Sequence, residues 1–330
     1  MTRIICFGEL MLRLSPPGAE RVFQSPALRT WFGGSEANVA VGLVHLGTPA
    51  SYITRLPANA VGDAALAALR AEGVDTRDIL RGGPRMGIYF VESGADLRPM
   101  RVVYDRAGSA FSQIDADAVD WSAVLHDADW LHLSGITPAL GDGPARATLA
   151  AASAAGRAGV PVSLDLNYRP ALWAGRDPRP FVEPLAAACS LLIGNSGAFA
   201  AMLGVATPDR ADDDLILAVS RQVHERLGCA RIAVTRREVH SASRHGWSSS
   251  LFDGVSGEMF TSRRYDVNVV DRVGGGDSFA AGLLHALREG RSPQAALAFA
   301  TAASALKLTI PGDFNRVTAA EVDAVLEADV

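Results

Sequence analysis

Residues 266–290 read DVNVVDRVGGGDSFAAGLLHALREG, and within them Gly274, Gly275 and Gly276 run directly into Asp277. Three glycines let the backbone aim its amides at one point with no side chain in the way. The apolar stripe Phe279, Leu283, Ala286 and Leu287 predicts a helix opening at Asp277, whose positive end adds to the same anion site. A carboxylate in that first turn can take the proton of an attacking hydroxyl while the amides hold the developing negative charge. Phosphoryl transfer needs that division of labour. Taken alone, the run is equally a simple helix start with Asp277 as N-cap or first-turn residue.

Other chemistries are narrowed by what the chain lacks. Lys307 is its only lysine, and arginine supplies the other 30 of its 31 basic residues. No Gly-x-x-x-x-Gly-Lys-Ser/Thr loop exists, and a Schiff-base mechanism would have Lys307 or nothing. Ser304 and Lys307 have the spacing of a serine acylation pair, but they sit in an alanine-rich helical run without the rest of that set. The seven histidines show no metal-ligand spacing, so no metal-binding residue is assigned. Cys6, Cys189 and Cys229 are far apart in apolar sequence and read as reduced core thiols.

The elements that position these residues alternate. Strands are predicted at Ile4–Gly8, Trp130–Leu133, Pro161–Leu166, Ser190–Ile193 and Arg231–Thr235. Helices are predicted at Ser35–Leu46, Asp63–Glu72, Pro144–Ala158, Arg179–Ala188, Asp212–Leu227, Asp277–Arg288 and Pro293–Leu306. Short aliphatic runs between alanine-rich helices imply an α/β fold with a doubly wound, mostly parallel sheet, which binds ligands at the carboxyl ends of its strands. Two segments, about 10–23 and 85–108, break the alternation; rich in Arg, Met, Tyr and Val and interrupted by Pro and Gly, they predict antiparallel strands forming a small sheet, a lid on a single 1–330 domain.

A formal charge of −5 without a basic face argues against nucleic acid as a partner. No apolar run approaches the roughly 20 residues that cross a bilayer, and the N-terminus has no signal-peptide grammar, so a cytoplasmic protein is expected.

DRVGGGDSFAAG resembles the C-terminal signature of the ribokinase-like (PfkB-type) carbohydrate kinases, Asp-Thr-x-Gly-Ala-Gly-Asp-x-Phe, departing at Arg272 and Gly275. The resemblance implies that Asp277 is the catalytic base and that the amides of Gly274, Gly275, Gly276 and Asp277 form an anion hole. WFGGSEANVAVGLVHLG (31–47) is similar to the family's Gly-Gly-x-x-x-Asn segment, giving Gly33, Gly34 and Asn38 on the substrate side. Asn38 there hydrogen-bonds hydroxyls, braces the loop, or is a buried amide in a tight turn.

GIYFVE (87–92), VVYDRAGSAFS (102–112) and LDLNYRPALW (164–173) are most similar to members that phosphorylate 2-keto-3-deoxygluconate. They imply substrate contacts from Tyr89, Tyr104, Arg106 and Arg169 with Gly34. An arginine fork meets a carboxylate with two parallel hydrogen bonds, which a neutral sugar would not need. The loop GELMLRLSP (8–16) carries Glu9 rather than the aspartate usual in kinases of neutral sugars.

The nucleotide side matches less well. LLIGNSGAFAAMLG (191–204) keeps Asn195 of the family's Asn-x-x-Glu motif, but Ala198 stands at the glutamate position. VTRREVHSASRHGWSSSLFDG (234–254) keeps Thr235 at a turn where the family has glycines; Arg236 and Arg237 there pair with phosphates or face solvent. ASALKLTIPGDFNR (303–316) is expected to line the adenine pocket through Lys307, Thr309 and Asn315. ATP and Mg2+ are the implied cofactors, a sugar acid the implied substrate, and a homodimer through the lid the expected assembly. A kinase of fructose or another hexose and a non-catalytic sugar sensor are the alternatives.

Overall fold

A computed structural model describes residues 2–205 and 213–328. The chain opens with β1 (Arg3–Phe7), β2 (Met11–Ser15), β3 (Arg29–Gly33), α1 (Ser35–His45), β4 (Ala50–Ile53), β5 (Arg55–Leu56), α2 (Ala60–Ala71) and β6 (Leu80–Arg81). It continues with β7 (Gly87–Glu92), β8 (Arg101–Asp105), α3 (Trp121–Val124), β9 (Ala128–Ser134), α4 (Asp142–Ala158), β10 (Val162–Asp165), α5 (Arg179–Ala187), β11 (Leu191–Gly194) and α6 (Ser196–Leu203). Beyond the undescribed stretch come α7 (Asp213–Leu227), β12 (Arg231–Ser241), β13 (Arg244–Asp253), β14 (Glu258–Thr261), β15 (Tyr265–Asn268), α8 (Gly275–Arg288), α9 (Pro293–Lys307) and α10 (Ala319–Glu327).

The main sheet runs β14-β13-β12-β11-β10-β9-β1-β4, with β15 also on β13. From β4 to β12 every pairing is parallel; β13, β14 and β15 add antiparallel. Each residue of β1, β10 and β11 is buried, because helices cover both faces of a parallel sheet. One apolar cluster gathers α4 to α7 on one face and a second gathers α1, α8 and α9 on the other. Gly282 lets α8 and α9 touch: a Cβ there would lie 2.9 Å from the Ala300 Cα.

The doubly wound sheet is as the alternation implied, with three differences. The strand expected to end at Thr235 continues to Ser241 and folds back as β13, so the family-like turn is replaced by a long hairpin. Residues 236–240, Arg-Arg-Glu-Val-His, carry little strand preference of their own, and the ladder to β13 holds them extended. The small sheet has the order β3-β2-β7-β8, and its central pair β2 and β7 is parallel, not antiparallel. Its edge strand β3 comes from residues 29–33, outside both segments expected to build it. The helix predicted from Asp212 is described from Asp213; Asp212 lies outside the described residues. No described helix is long and apolar enough to cross a membrane.

Candidate active site

The ends of β1, β9, β10 and β11 and the start of α8 open onto a cavity of about 760 Å³, roofed on one side by the small sheet. Gly274 adopts φ +82° at the N-cap of α8, and a Cβ on it would lie 2.2 Å from the Asp313 carbonyl oxygen. Only glycine fits there. Among the described residues the amides of Gly276 and Asp277 have no backbone acceptor, so two N–H groups at a positive helix end face the cavity. A Cβ on Gly276 would meet nothing within 4 Å.

Asp277 is buried, and α1 supplies both its partners. Ser35 Oγ donates to Oδ1 at 2.8 Å and Asn38 Nδ2 to Oδ2 at 2.7 Å. Asn167, beyond β10, donates in turn to Ser35 Oγ at 2.6 Å. Burial raises the Asp277 carboxyl above its ordinary range, while the Asn38 and Ser35 bonds and the charge of Arg169 pull it back. A carboxylate so held keeps lone pairs free for a proton. Asn38 is committed on both ends, since its Oδ1 accepts the Gly34 amide at 3.3 Å; it braces the loop.

On the wall formed by the small sheet, Tyr89 and Tyr104 stack with ring centroids 5.9 Å apart, and the Arg106 guanidinium lies over Tyr104. Arg106 is buried and already paired: its Nε donates to Glu9 Oε2 at 2.9 Å, and its Nη2 reaches the same oxygen. Glu9 is a buried carboxylate whose other oxygen accepts from Ser109. Arg169 is different. It is exposed in the cavity and bonds only to the Tyr168 carbonyl, at 3.3 Å.

Gly34 lines the cavity and Gly33 lies behind it. A Cβ on Gly34 would collide with the Glu9 carbonyl at 2.0 Å; one on Gly33 would collide with Asp313 Oδ1 at 2.2 Å. Asp313 accepts from the Tyr89 hydroxyl and from Arg13 at 2.7 Å, and the other end of Arg13 meets Asp271 at 2.7 Å. This buried network ties β2 and β7 to the loop before α8. Burial opposes the charge of Arg13, but Asp313 and Asp271 outweigh it and raise the guanidinium above its ordinary value. Arg13, Asp271 and Asp313 escaped sequence reasoning because each pairs across about 40 to 300 positions.

Of the residues expected on the nucleotide side, Asn195 and Thr235 line the cavity. The Asn195 side chain caps α6, accepting the Ala198 amide at 2.9 Å, and Thr235 Oγ1 lies 3.5 Å from the Gly194 carbonyl. Lys307 does not line it. It is wholly buried, donating to the carbonyls of Ile310 at 3.1 Å and Asp271 at 3.4 Å. Asn315 is likewise inside, bonded to Ser278 Oγ at 2.6 Å, and Thr309 turns back onto the Leu306 carbonyl at 2.7 Å. From that segment only Leu308 and Asp313 reach the cavity, because the end of α9 packs its polar side chains inward against the loop before α8.

Glu36 and Asp165 also line the cavity without a basic ion-pair partner among the described residues. Burial above all pushes each carboxyl up to about 7, with the Ser134 bond opposing at Glu36 and the Asp277 charge adding at Asp165. No described cluster of three His, Cys, Asp or Glu could hold a metal ion by itself.

The chain is similar to known proteins over its whole length. It is 33% identical to a 2-dehydro-3-deoxygalactonokinase of Haloferax volcanii, covering 98% of this chain and 96% of that one. It is 29% identical to a 2-dehydro-3-deoxygluconokinase of Thermoproteus tenax, over 95% and 90% of the two chains. The crystal structure of a 2-dehydro-3-deoxygluconokinase from Thermotoga maritima superimposes with a TM-score of 0.96 at 40% identity, covering 99% of this chain and 98% of that one. Residues 1–318 match the pfkB family carbohydrate kinase pattern. With the unpaired amides at the start of α8, the buried carboxylate beside them and the sheet that carries both, this match makes the chain a carbohydrate kinase of the pfkB family.

Proposed function

We propose that the enzyme transfers the γ-phosphoryl group of ATP to 2-keto-3-deoxygluconate, giving the 6-phosphate, with Asp277 as general base. The observation that carries this reading is the position of Asp277, buried and doubly hydrogen-bonded beside the unpaired amides at the start of α8. In this reading Asp277 takes the proton of the O6 hydroxyl as that oxygen attacks phosphorus. The amides of Gly276 and Asp277 hold the charge on the transferring group, with Gly274 and Gly275 shaping the turn.

The substrate carboxylate docks against Arg169, whose guanidinium is free of any carboxylate, with Arg106 contributing the nitrogen that Glu9 leaves over. Tyr89, Tyr104 and the Gly34 backbone complete the sugar side. The kinases of H. volcanii and T. tenax act on 2-dehydro-3-deoxy sugar acids of two epimeric series, which supports the acid class. Magnesium fits as an ion held chiefly by phosphate and water, reached through Asp165 and Glu36, and it supplies charge neutralisation on the phosphates. The small sheet serves as lid and, through exposed β8, as the face of a homodimer in the cytoplasm.

A coupled ATP assay across 2-keto-3-deoxygluconate, its galacto epimer, fructose and ribose tests the reading. The sugar acids are expected to turn over fastest, and faster phosphorylation of fructose or ribose would refute the roles of Arg106 and Arg169. The neutral-hexose alternative draws on one observation, the pairing of Arg106 with Glu9, which leaves a single free guanidinium for a carboxylate.

A further inference from the structure

Arg237 and Arg272 line the cavity together with Arg169, and no described carboxylate pairs with any of the three. Arg272 touches only Met100 Sδ through its Nε, and its neighbour Asp271 is engaged by Arg13. Arg237 follows Thr235 by two residues on β12, so the two side chains share a face of the strand and both reach the cavity. Arg236, one residue away, points to the other face and is bound to Asp213 and to Ser250 Oγ.

The three guanidiniums repel one another. Desolvation by the cavity wall and the charge of Arg169 push Arg237 down, and desolvation with the charges of Arg237 and Arg169 does the same to Arg272. By contrast, Arg3, Arg13, Arg98, Arg106, Arg288 and Arg291 each meet a carboxylate. A second observation lies on the adjacent strand. Trp247, directly opposite Arg237 in the β12–β13 ladder, is buried against the cavity with its Nε1 donor unpartnered. Buried donors without acceptors are costly, and uncompensated like charges in one cavity are costly as well. Both costs vanish when an acceptor-rich polyanion enters.

We infer that Arg237 and Arg272, with Trp247 Nε1 beside them, form a clamp for the polyphosphate chain of the nucleotide donor. The inference rests on the kinase reading and adds residues to its nucleotide side. Arg169 stands between the two ligands, since its charge acts on Asp277 and Asp165 as well as on Arg237 and Arg272. Arginine suits the task because its planar fork presents several fixed donors to phosphate oxygens. The clamp also explains why a family position with threonine carries Arg272 and a glycine-rich turn carries Arg237.

The full chain, titrated with inorganic tripolyphosphate and with ATP in EDTA while tryptophan fluorescence is followed, tests this directly. Wild type is expected to bind both saturably, and Arg237→Met and Arg272→Met each to weaken binding about ten- to a hundredfold. Since neither arginine has a carboxylate partner among the described residues and the two repel each other, both variants should melt at or above the wild-type temperature. In steady state, KM for ATP should rise while KM for the sugar acid holds within about twofold. Unchanged tripolyphosphate affinity in both variants overturns the clamp, and so does a loss that falls on the sugar acid instead. If either methionine variant unfolds, Arg237→Gln and Arg272→Gln take its place with the same two outcomes. Should no sugar acid be phosphorylated while tripolyphosphate binding still depends on both arginines, the substrate reading fails and the clamp stands.

Discussion

Asn38 Nδ2 donates to Asp277 Oδ2 at 2.7 Å across 239 positions of sequence, so a residue of the first helix favours the ionised form of a carboxylate at the start of α8. With Ser35 it lowers a carboxyl that burial raises. If Asp277 is the proposed base it must be ionised to act, and activity is then expected to fall as pH drops through its pKa. Asn38→Leu removes a donor to the ionised form and should move the acid limb of the kcat/KM profile to higher pH. Asp277→Asn should lower kcat by about two to four orders of magnitude, and retention of turnover would remove Asp277 as the base.

Gly274 and Gly276 should respond differently to the same methyl group. Gly274→Ala forces φ +82° on a residue with a Cβ only 2.2 Å from the Asp313 carbonyl, so both melting temperature and kcat should fall. Gly276→Ala meets nothing in the protein and gains helix propensity worth up to about 1 kcal/mol. Its melting temperature should hold or rise while kcat falls, because the methyl enters the space the phosphoryl group would use. Equal kcat in Gly276→Ala and wild type would place that group elsewhere.

Glu36 carries a sign that urea unfolding can read. Its folded pKa is about 7 against 4.5 for the free side chain, so the folded state binds more protons between those values. Its contribution is complete below about pH 4.5 and is lost as pH rises through 7, a change of order 3 kcal/mol. Glu36→Gln keeps an acceptor for Ser134 and Thr137 and should flatten that part of the stability profile. Urea unfolding of both proteins at pH 5 and pH 8 measures the difference, and parallel profiles would contradict it.

Arg106 and Glu9 are predicted to fail as a pair. Arg106→Met strands a buried carboxylate and should cost about 3–5 kcal/mol in unfolding free energy. Glu9→Met, Arg106→Met together should recover part of that loss while the KM for sugar acid stays raised. Denaturation midpoints and coupled-assay KM values separate the two effects.

Lys307→Met should lower the melting temperature and leave the KM for ATP near wild type. The ammonium satisfies the Asp271 and Ile310 carbonyls inside the fold, and orphaned acceptors of this kind cost about 1–3 kcal/mol each. A raised KM with an unchanged melting temperature would return Lys307 to the nucleotide side.

Local sequence settled those features whose physics is local. The run Gly274 to Asp277 announces a glycine-shaped helix start because glycine conformation and helix polarity act over four residues. The strands from Ile4 to Thr235 announce a parallel sheet because burial on both faces demands continuous aliphatic runs. The antiparallel addition after Thr235 stayed hidden, since residues 236–240 are polar on a strand whose partner, not its composition, holds it in place. The small sheet's parallel centre depends on β2, ending at Ser15, and β7, starting at Gly87, meeting across the chain between them.

What each arginine does was decided only by the tertiary structure. Sequence offers Arg106, Arg169, Arg237 and Arg272 as four similar cations beside loops. Folding gives Arg106 a buried carboxylate at Glu9 and leaves the other three facing one cavity without one. In the same way it takes the sole lysine into the core and gives the Asn38 amide to Asp277. A charged side chain acts through whatever lies within a few ångströms of it, and Glu9 reaches Arg106 across 97 positions and Asp277 reaches Asn38 across 239.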